Sequence, residues 1–131
     1  MAQDYPDLIV WQKAIELTVL IYTLTRSLPK EEVYGLVSQM RRASISVASN
    51  IAEGRGRITP GELRQFLGLA QGSTYELQTQ LLVARRLGMG RKEELDGAES
   101  LSNEVSKMLS SFIQTLNVAA KANKQAAGAR S

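Results

Sequence analysis

The sequence predicts an all-α protein, an up-down-up-down antiparallel four-helix bundle that assembles as a homo-oligomer. Three observations carry this. Apolar residues recur at spacings of three and four in four long segments, no segment shows the period-2 alternation of a strand, and Pro or Gly punctuates the joins between segments. At 131 residues the chain is the size of one domain, and folding buries roughly two-thirds of its unfolded surface. Its expected divisions are an N-terminal lead over 1–7, the bundle over 8–120 and a flexible C-terminal tail over 121–131.

The first helix is expected to begin after Asp7, which follows Pro6 and can cap free amides, and to run to about Ser27 before Pro29. Val10, Ala14, Leu17, Ile21 and Leu24 form one apolar row, and Trp11, Ile15, Thr18 and Tyr22 form a second beside it. The second helix is expected over Glu32 to Glu53, with Leu36, Met40, Ala43, Val47 and Ile51 in register and Gly54 as its stop. Val37, Ser44, Ile45, Ala48 and Ala52 widen its small or apolar sector to roughly 200°, where a surface helix usually needs about 100°. One row of each helix can face a bundle core, so the excess calls for another cover.

The third helix has the clearest start. Thr59-Pro60-Gly61-Glu62 reads as an N-cap threonine, a first-turn proline and a capping-box glutamate. Leu63, Phe66, Ala70, Leu77, Leu81 and Ala84 then recur up to Gly88, and Gly72, Ser73 and Thr74 are small enough to let a neighbouring helix approach closely. The fourth helix, from about Lys92 to Ala120, alternates three and four without a break through Leu95, Ala98, Ser102, Val105, Leu109, Phe112, Leu116 and Ala119, which suits packing at about 20°. Beyond it, Lys121 to Ser131 holds nothing large to bury, and a frayed helix end with a loose tail is expected.

Composition removes much chemistry. With no Cys and no His, there are no disulfides, thiolates, Cys/His zinc sites or imidazole bases. No apolar stretch approaches the roughly 20 residues of a spanning helix, and the acidic start Met1-Ala2-Gln3-Asp4-Tyr5-Pro6-Asp7 lacks the basic-then-apolar pattern of a leader, so a cytoplasmic location is expected. The net charge is only +3, but from Arg41 to Lys92 nine basic residues face three acidic ones, a local +6 that is almost all arginine.

Four stretches carry a resemblance. Asp7-Leu8-Ile9-Val10-Trp11-Gln12-Lys13-Ala14, Tyr34-Gly35-Leu36-Val37-Ser38-Gln39-Met40-Arg41-Arg42-Ala43, Ser49-Asn50-Ile51-Ala52-Glu53-Gly54 and Gly72-Ser73-Thr74-Tyr75-Glu76-Leu77 resemble the four-helix-bundle proteins encoded by intervening sequences of bacterial 23S ribosomal RNA genes. These are ribosomal-protein-like and similar to the accessory variability proteins of diversity-generating retroelements. The resemblance spans about Asp7 to Gly88, with Ala48 standing where many relatives carry proline. It implies a cytosolic bundle assembled as a ring-like homopentamer. The retroelement branch also implies a basic surface that binds nucleic acid and a partner reverse transcriptase.

The arginines are the candidate binding groups, because a guanidinium donates two parallel hydrogen bonds to phosphate and keeps its charge at neutral pH. Arg55, Arg57, Arg64, Arg85, Arg86, Arg91 and Lys92 are assigned to nucleic-acid binding, in two zones at opposite ends of the third helix. Arg55 and Arg57 share a loop with that helix's N-terminal amides, an arrangement that favours anions, although Gly-Arg-Gly-Arg taken alone reads first as a solvated turn. Register arithmetic at about 1.5 Å per residue sets Arg41 and Arg42 level with Glu76, with Glu104 close to that level, and predicts that Arg41 or Arg42 pairs with Glu76 within the bundle or across subunits.

Glu16, Glu53, Glu76 and Glu104 put one acid on each helix, yet Glu53 and Glu76 are about 20 Å apart along the axis and no His accompanies them, so no metal site is expected. Trp11, Tyr22, Phe66 and Phe112 are assigned to core or interface. Tyr5, Tyr34 and Tyr75 are available to stack on bases, but no known RNA module's aromatic-plus-basic motif is present, and backbone binding without base specificity is the expected mode. The resulting expectation is a non-enzymatic oligomer, without cofactor, that binds RNA or another nucleic acid. A structural adaptor docking a protein partner such as a reverse transcriptase is the alternative.

Overall fold

The structure is a computed structural model that describes residues 4–130. Residues 1–3 of the expected lead and Ser131 of the expected tail lie outside the described residues. Four helices make up the fold, α1 (Ile9–Thr25), α2 (Ser38–Arg55), α3 (Pro60–Arg86) and α4 (Lys92–Arg130), with no strand among the described residues. Packed pairs are α1 with α2, α2 with α3, α3 with α4, and α1 with α4. In the α1–α2 and α3–α4 pairs the partner's number falls as the residue number rises. Thr18 and Thr25 of α1 meet Ser44 and Arg41 of α2. Gln71, Gln78 and Arg85 of α3 meet Ser110, Asn103 and Asp96 of α4.

The start of α1 differs from expectation. Asp4, rather than Asp7, is the capping acid, and its Oδ1 accepts from the Tyr5 amide at 2.8 Å to open a 3-10 turn over Tyr5–Asp7. Leu8 then takes the N-cap position of α1 with no side-chain cap. The turn is tied down instead by Gln12, whose Nε2 donates to the Pro6 carbonyl at 2.9 Å, and by an edge-to-face contact of Tyr5 with Trp11 at 5.2 Å. The first apolar row, Val10, Ala14, Leu17, Ile21 and Leu24, is buried throughout.

The start of α2 also differs. Lys30–Glu32 form a 3-10 turn and Val33–Val37 a π-type turn, so regular α-helix begins at Ser38 rather than near Glu32. Gly35 leaves helical geometry there, and the Glu32 carboxylate takes up the Leu36 amide at 3.2 Å. From Ser38 the helix runs unbroken through Ala48. Met40, Ala43, Val47 and Ile51 are buried as expected, and so are Val37, Ser44 and Ala48 from the second sector. Thr18 explains part of this, since its Oγ1 donates to the Ser44 carbonyl at 3.1 Å across the α1–α2 contact. The apolar excess left on the outside is therefore narrower than predicted. On α2 it is Ile45, 44% exposed, and on α1 Ile15 and Val19, 38% and 62% exposed, with Trp11 and Tyr22 half-buried.

Thr59 caps α3 as expected, its Oγ1 accepting from the Glu62 amide at 3.2 Å and donating to Glu62 Oε1 at 2.9 Å. Leu67, not Phe66, fills the core position of that turn, and Phe66 is half-buried at the edge. The close approach assigned to Gly72 belongs instead to Gly54. A Cβ on Gly54 would lie 2.7 Å from Phe66 Cβ, whereas one on Gly72 would meet nothing within 4 Å. At the far end, the Gly88 amide donates to Arg85 O and the Met89 amide to Ala84 O, with Gly88 at φ +70, the paired bonds of a Schellman stop.

Leu95, Ala98, Ser102, Val105 and Leu109 bury the inner face of α4. Its 39 residues span about 58 Å against about 40 Å for the 27 of α3. Helix continues past the expected boundary near Ala120, through the described part of the predicted tail. Alanine, lysine and glutamine there are strong helix formers, so the backbone stays helical although residues 121–128 are all exposed.

Candidate nucleic-acid interface

At the α2–α3 turn, the structure changes the reading of Arg57. Its Nη2 pairs with Glu53 Oε1, one turn earlier, and its guanidinium lies over the Phe66 ring at 4.6 Å. That charge is locally balanced and its group is held against the protein. The neighbouring N-terminus of α3 is not an open anion site either, because Thr59 takes the Glu62 amide and the Glu62 carboxylate already sits in the first turn. Arg55 and Arg64 are half-buried on the same end.

The opposite end is richer. Arg85 donates through Nη2 to Asp96 Oδ1 at 2.7 Å and to Glu99 Oε2 at 3.1 Å, so this arginine ties α3 to α4. The bond to Asp96 is the main reason that its pKa is raised further. Arg86, Arg91 and Lys92 are exposed and make no ion pair within 4.0 Å among the described residues. The fold adds four cations to them. Arg26 shares a recess with Arg91 and Glu94 at the end of α1, and Arg26, Lys30, Arg41 and Arg42 line one groove of about 660 Å³ between the α1 exit and the start of α2. Tyr22, Val33, Tyr34 and Ile45 supply its apolar walls, and no acidic residue lines it.

Arg41 is positioned in this groove by α1. Its Nε donates to Thr25 Oγ1 at 2.9 Å, and its guanidinium stacks over the Tyr22 ring at 4.5 Å. The predicted intramolecular pair of Arg41 with Glu76 is thus not formed. Successive helical residues diverge by about 100°, so Arg41 turns to α1 while Arg42 turns to α3. Arg42 and Glu76 border one recess with Ser46 and Ser73, but no ion pair joins them within 4.0 Å. Glu76 accepts instead from Gln80 Nε2 at 3.3 Å. Glu104 pairs with Lys13 at 3.0 Å, and this hydrogen bond raises the Lys13 pKa.

Of the seven assigned cations, the structure gathers Arg86, Arg91 and Lys92 with Arg85 at one end and leaves Arg55, Arg57 and Arg64 at the other. Sequence reasoning missed Arg26, Lys30 and the groove. The available signal was that Arg26 and Lys30 flank Pro29 at the exit of the first helix, where a reversal returns the chain past Arg41 and Arg42.

A bundle of four packed helices with an apolar core and a cation-rich end defines a helical-bundle protein whose exposed chemistry is charge and aromatic surface. No helix among the described residues is long and apolar enough to cross a membrane, and no group of three or more Asp or Glu side chains there is placed to hold a metal ion. The family model of the 23S rRNA-intervening sequence proteins matches residues 6–111, and the chain belongs to that family. A crystal structure of a protein of unknown function from the S23 ribosomal protein family, from Bacteroides thetaiotaomicron VPI-5482, has a similar fold, with TM-score 0.72 and 22% identity over 80% of this chain and 98% of that one. No curated protein matches the chain.

Proposed function

We propose that the up-down-up-down antiparallel bundle is the protomer of a cytoplasmic, non-enzymatic homo-oligomer that binds RNA through cation-lined surfaces without base specificity. The carrying observation is a set of cations without an ion pair within 4.0 Å, Arg26, Lys30, Arg86, Arg91 and Lys92 at one end of the bundle and Arg42 further along the groove. Unpaired surface cations close together focus a positive potential, and polyanion binding uses that field. The family's description, which ties its members to 23S rRNA intervening sequences, favours RNA as the polyanion. Assembly is supported by the outward apolar side chains of Ile15 and Val19 on α1, which lie outside the lining of the cation-lined groove, and a ring of five copies would repeat the cationic end five times.

Retention of a labelled single-stranded RNA, measured from 50 to 200 mM salt together with native mass, tests the reading. Six phosphate contacts give a slope of about −4 for the logarithm of the association constant against the logarithm of salt concentration, so affinity should fall about 300-fold across that range. No binding at 50 mM salt refutes RNA binding, and a monomer at micromolar concentration refutes assembly.

A further inference from the structure

We infer that the groove between the α1 exit and the start of α2 is a site for one unpaired nucleotide of a single strand, its base on Tyr34 and its phosphates on the surrounding cations. The inference rests on the RNA-binding reading and adds to it a preference for single strands over duplex. Three features point to the same occupant. The groove, at about 660 Å³, falls within the range of about 300–1,000 Å³ typical of small-ligand clefts. Its charged lining is all of one sign, Arg26, Lys30, Arg41 and Arg42, and so selects an anion. Tyr34, held out by the irregular Val33–Val37 turn, is 96% exposed, so a phenol face is open to a planar partner.

The two tyrosines are not equivalent. Tyr22 already carries the Arg41 guanidinium on its face, and Thr25 fixes the other side of that arginine. The remaining Arg41 N–H groups are thereby pre-positioned for phosphate oxygens. Tyr34 makes no ring contact among the described residues. A base can lie on it only when removed from a duplex stack, whereas stacking itself tolerates any base, which agrees with binding free of base specificity. A second copy of the chain fits the groove less well. Two such surfaces meeting about a two-fold axis would bring like-charged cation clusters face to face without an acid in either lining.

The test compares affinities for a labelled 12-nucleotide single-stranded RNA and a 12-base-pair RNA duplex at about 50 mM salt, for the full chain, Tyr34→Ala and Arg42→Ala, with Tyr75→Ala as an exposed-tyrosine control. Tyr34→Ala should weaken single-strand binding roughly fivefold or more, the lower range of alanine substitutions at base-stacking aromatics, and leave duplex binding and the Tyr75→Ala control unchanged. Arg42→Ala should reduce the magnitude of the salt slope by about 0.7 on single strands. Tyr34 is too exposed for its loss to unfold the protein. Equal affinity for strand and duplex, with Tyr34→Ala affecting neither, overturns this inference and leaves RNA binding standing. A Tyr34→Ala variant that changes native mass while keeping single-strand affinity overturns it in favour of a second copy. Absence of binding to both RNAs overturns the functional reading as well.

Discussion

Adding one methyl group at Gly54 should destabilise the bundle, although glycine is a poor helix residue. Gly54 is buried in the last turn of α2, and an added Cβ would lie 2.7 Å from Phe66 Cβ and 3.3 Å from both Leu63 Cδ1 and the Leu63 carbonyl. Phe66 Cβ and Leu63 O are fixed to the α3 backbone, so no rotamer change relieves the contact; α3 itself has to move. Overpacking of this kind costs about 1–3 kcal/mol. The gain in helix propensity returns at most about 1 kcal/mol, and less near a helix end. A net loss of about 1–2 kcal/mol follows, a fall in Tm of roughly 4–8 °C for a chain of this size. Gly72→Ala is the matched control. Gly72 lies within α3, is exposed, and its added Cβ meets nothing within 4 Å, so the same substitution should stabilise by about 0.4–1 kcal/mol. Urea unfolding followed by far-UV circular dichroism, at matched protein concentration, measures both. A Gly54→Ala variant as stable as the parent refutes the close-contact argument.

Two further predictions concern polar groups. Gln71 is buried in α3, donates through Nε2 to the Ser106 carbonyl at 3.0 Å and Ser110 Oγ at 2.8 Å, and leaves Oε1 without a partner. Gln71→Glu removes the donor and buries a carboxylate facing a carbonyl, so it should cost about 2–3 kcal/mol at pH 8. Because burial raises that carboxyl's pKa in the folded state, the part of the penalty due to charge should vanish below the ordinary glutamate value of about 4.3 and grow as pH rises, while the hydrogen bond that a single O–H cannot replace stays lost at every pH; urea midpoints at pH 4 and 8 that fall equally short of the parent's would contradict this. The Lys13–Glu104 pair joins α1 to α4, and its hydrogen bond raises the Lys13 pKa. A raised lysine pKa contributes stability that is complete below the ordinary value of about 10.4 and is lost as pH climbs through the higher folded value. The Tm gap between the parent and Glu104→Gln should therefore narrow between pH 9 and pH 11.5, and a constant gap would rule this contribution out.

The four helices were legible because each repeats its apolar residues over many turns, and local propensity agrees with that period. Leu17, Val47, Leu77 and Val105 all lie on the rows that the spacing marks, and all are buried. Element edges were harder. Asp4 and Asp7 are equally good caps on paper, and the choice depends on how Gln12 and Trp11 hold the turn. Likewise Phe66 and Leu67 are adjacent apolar residues, and only the position of α2 decides which of them faces inward.

The functional surface divides in the same way. Sequence by itself determined the all-α class, the absence of thiol and imidazole chemistry, and an arginine-rich middle of the chain, since each of these depends on residue type and order alone. Which arginines remain unpaired is a matter of distances between segments. Arg57 and Arg85 found carboxylates, and Arg41 found a ring and a hydroxyl on another helix. Arg26 and Lys30, separated in sequence from Arg41 and Arg42, joined them around one groove because the chain reverses at Pro29. Charge is carried by the sequence, but the field it makes depends on where folding puts each charge, and that was decided by tertiary packing.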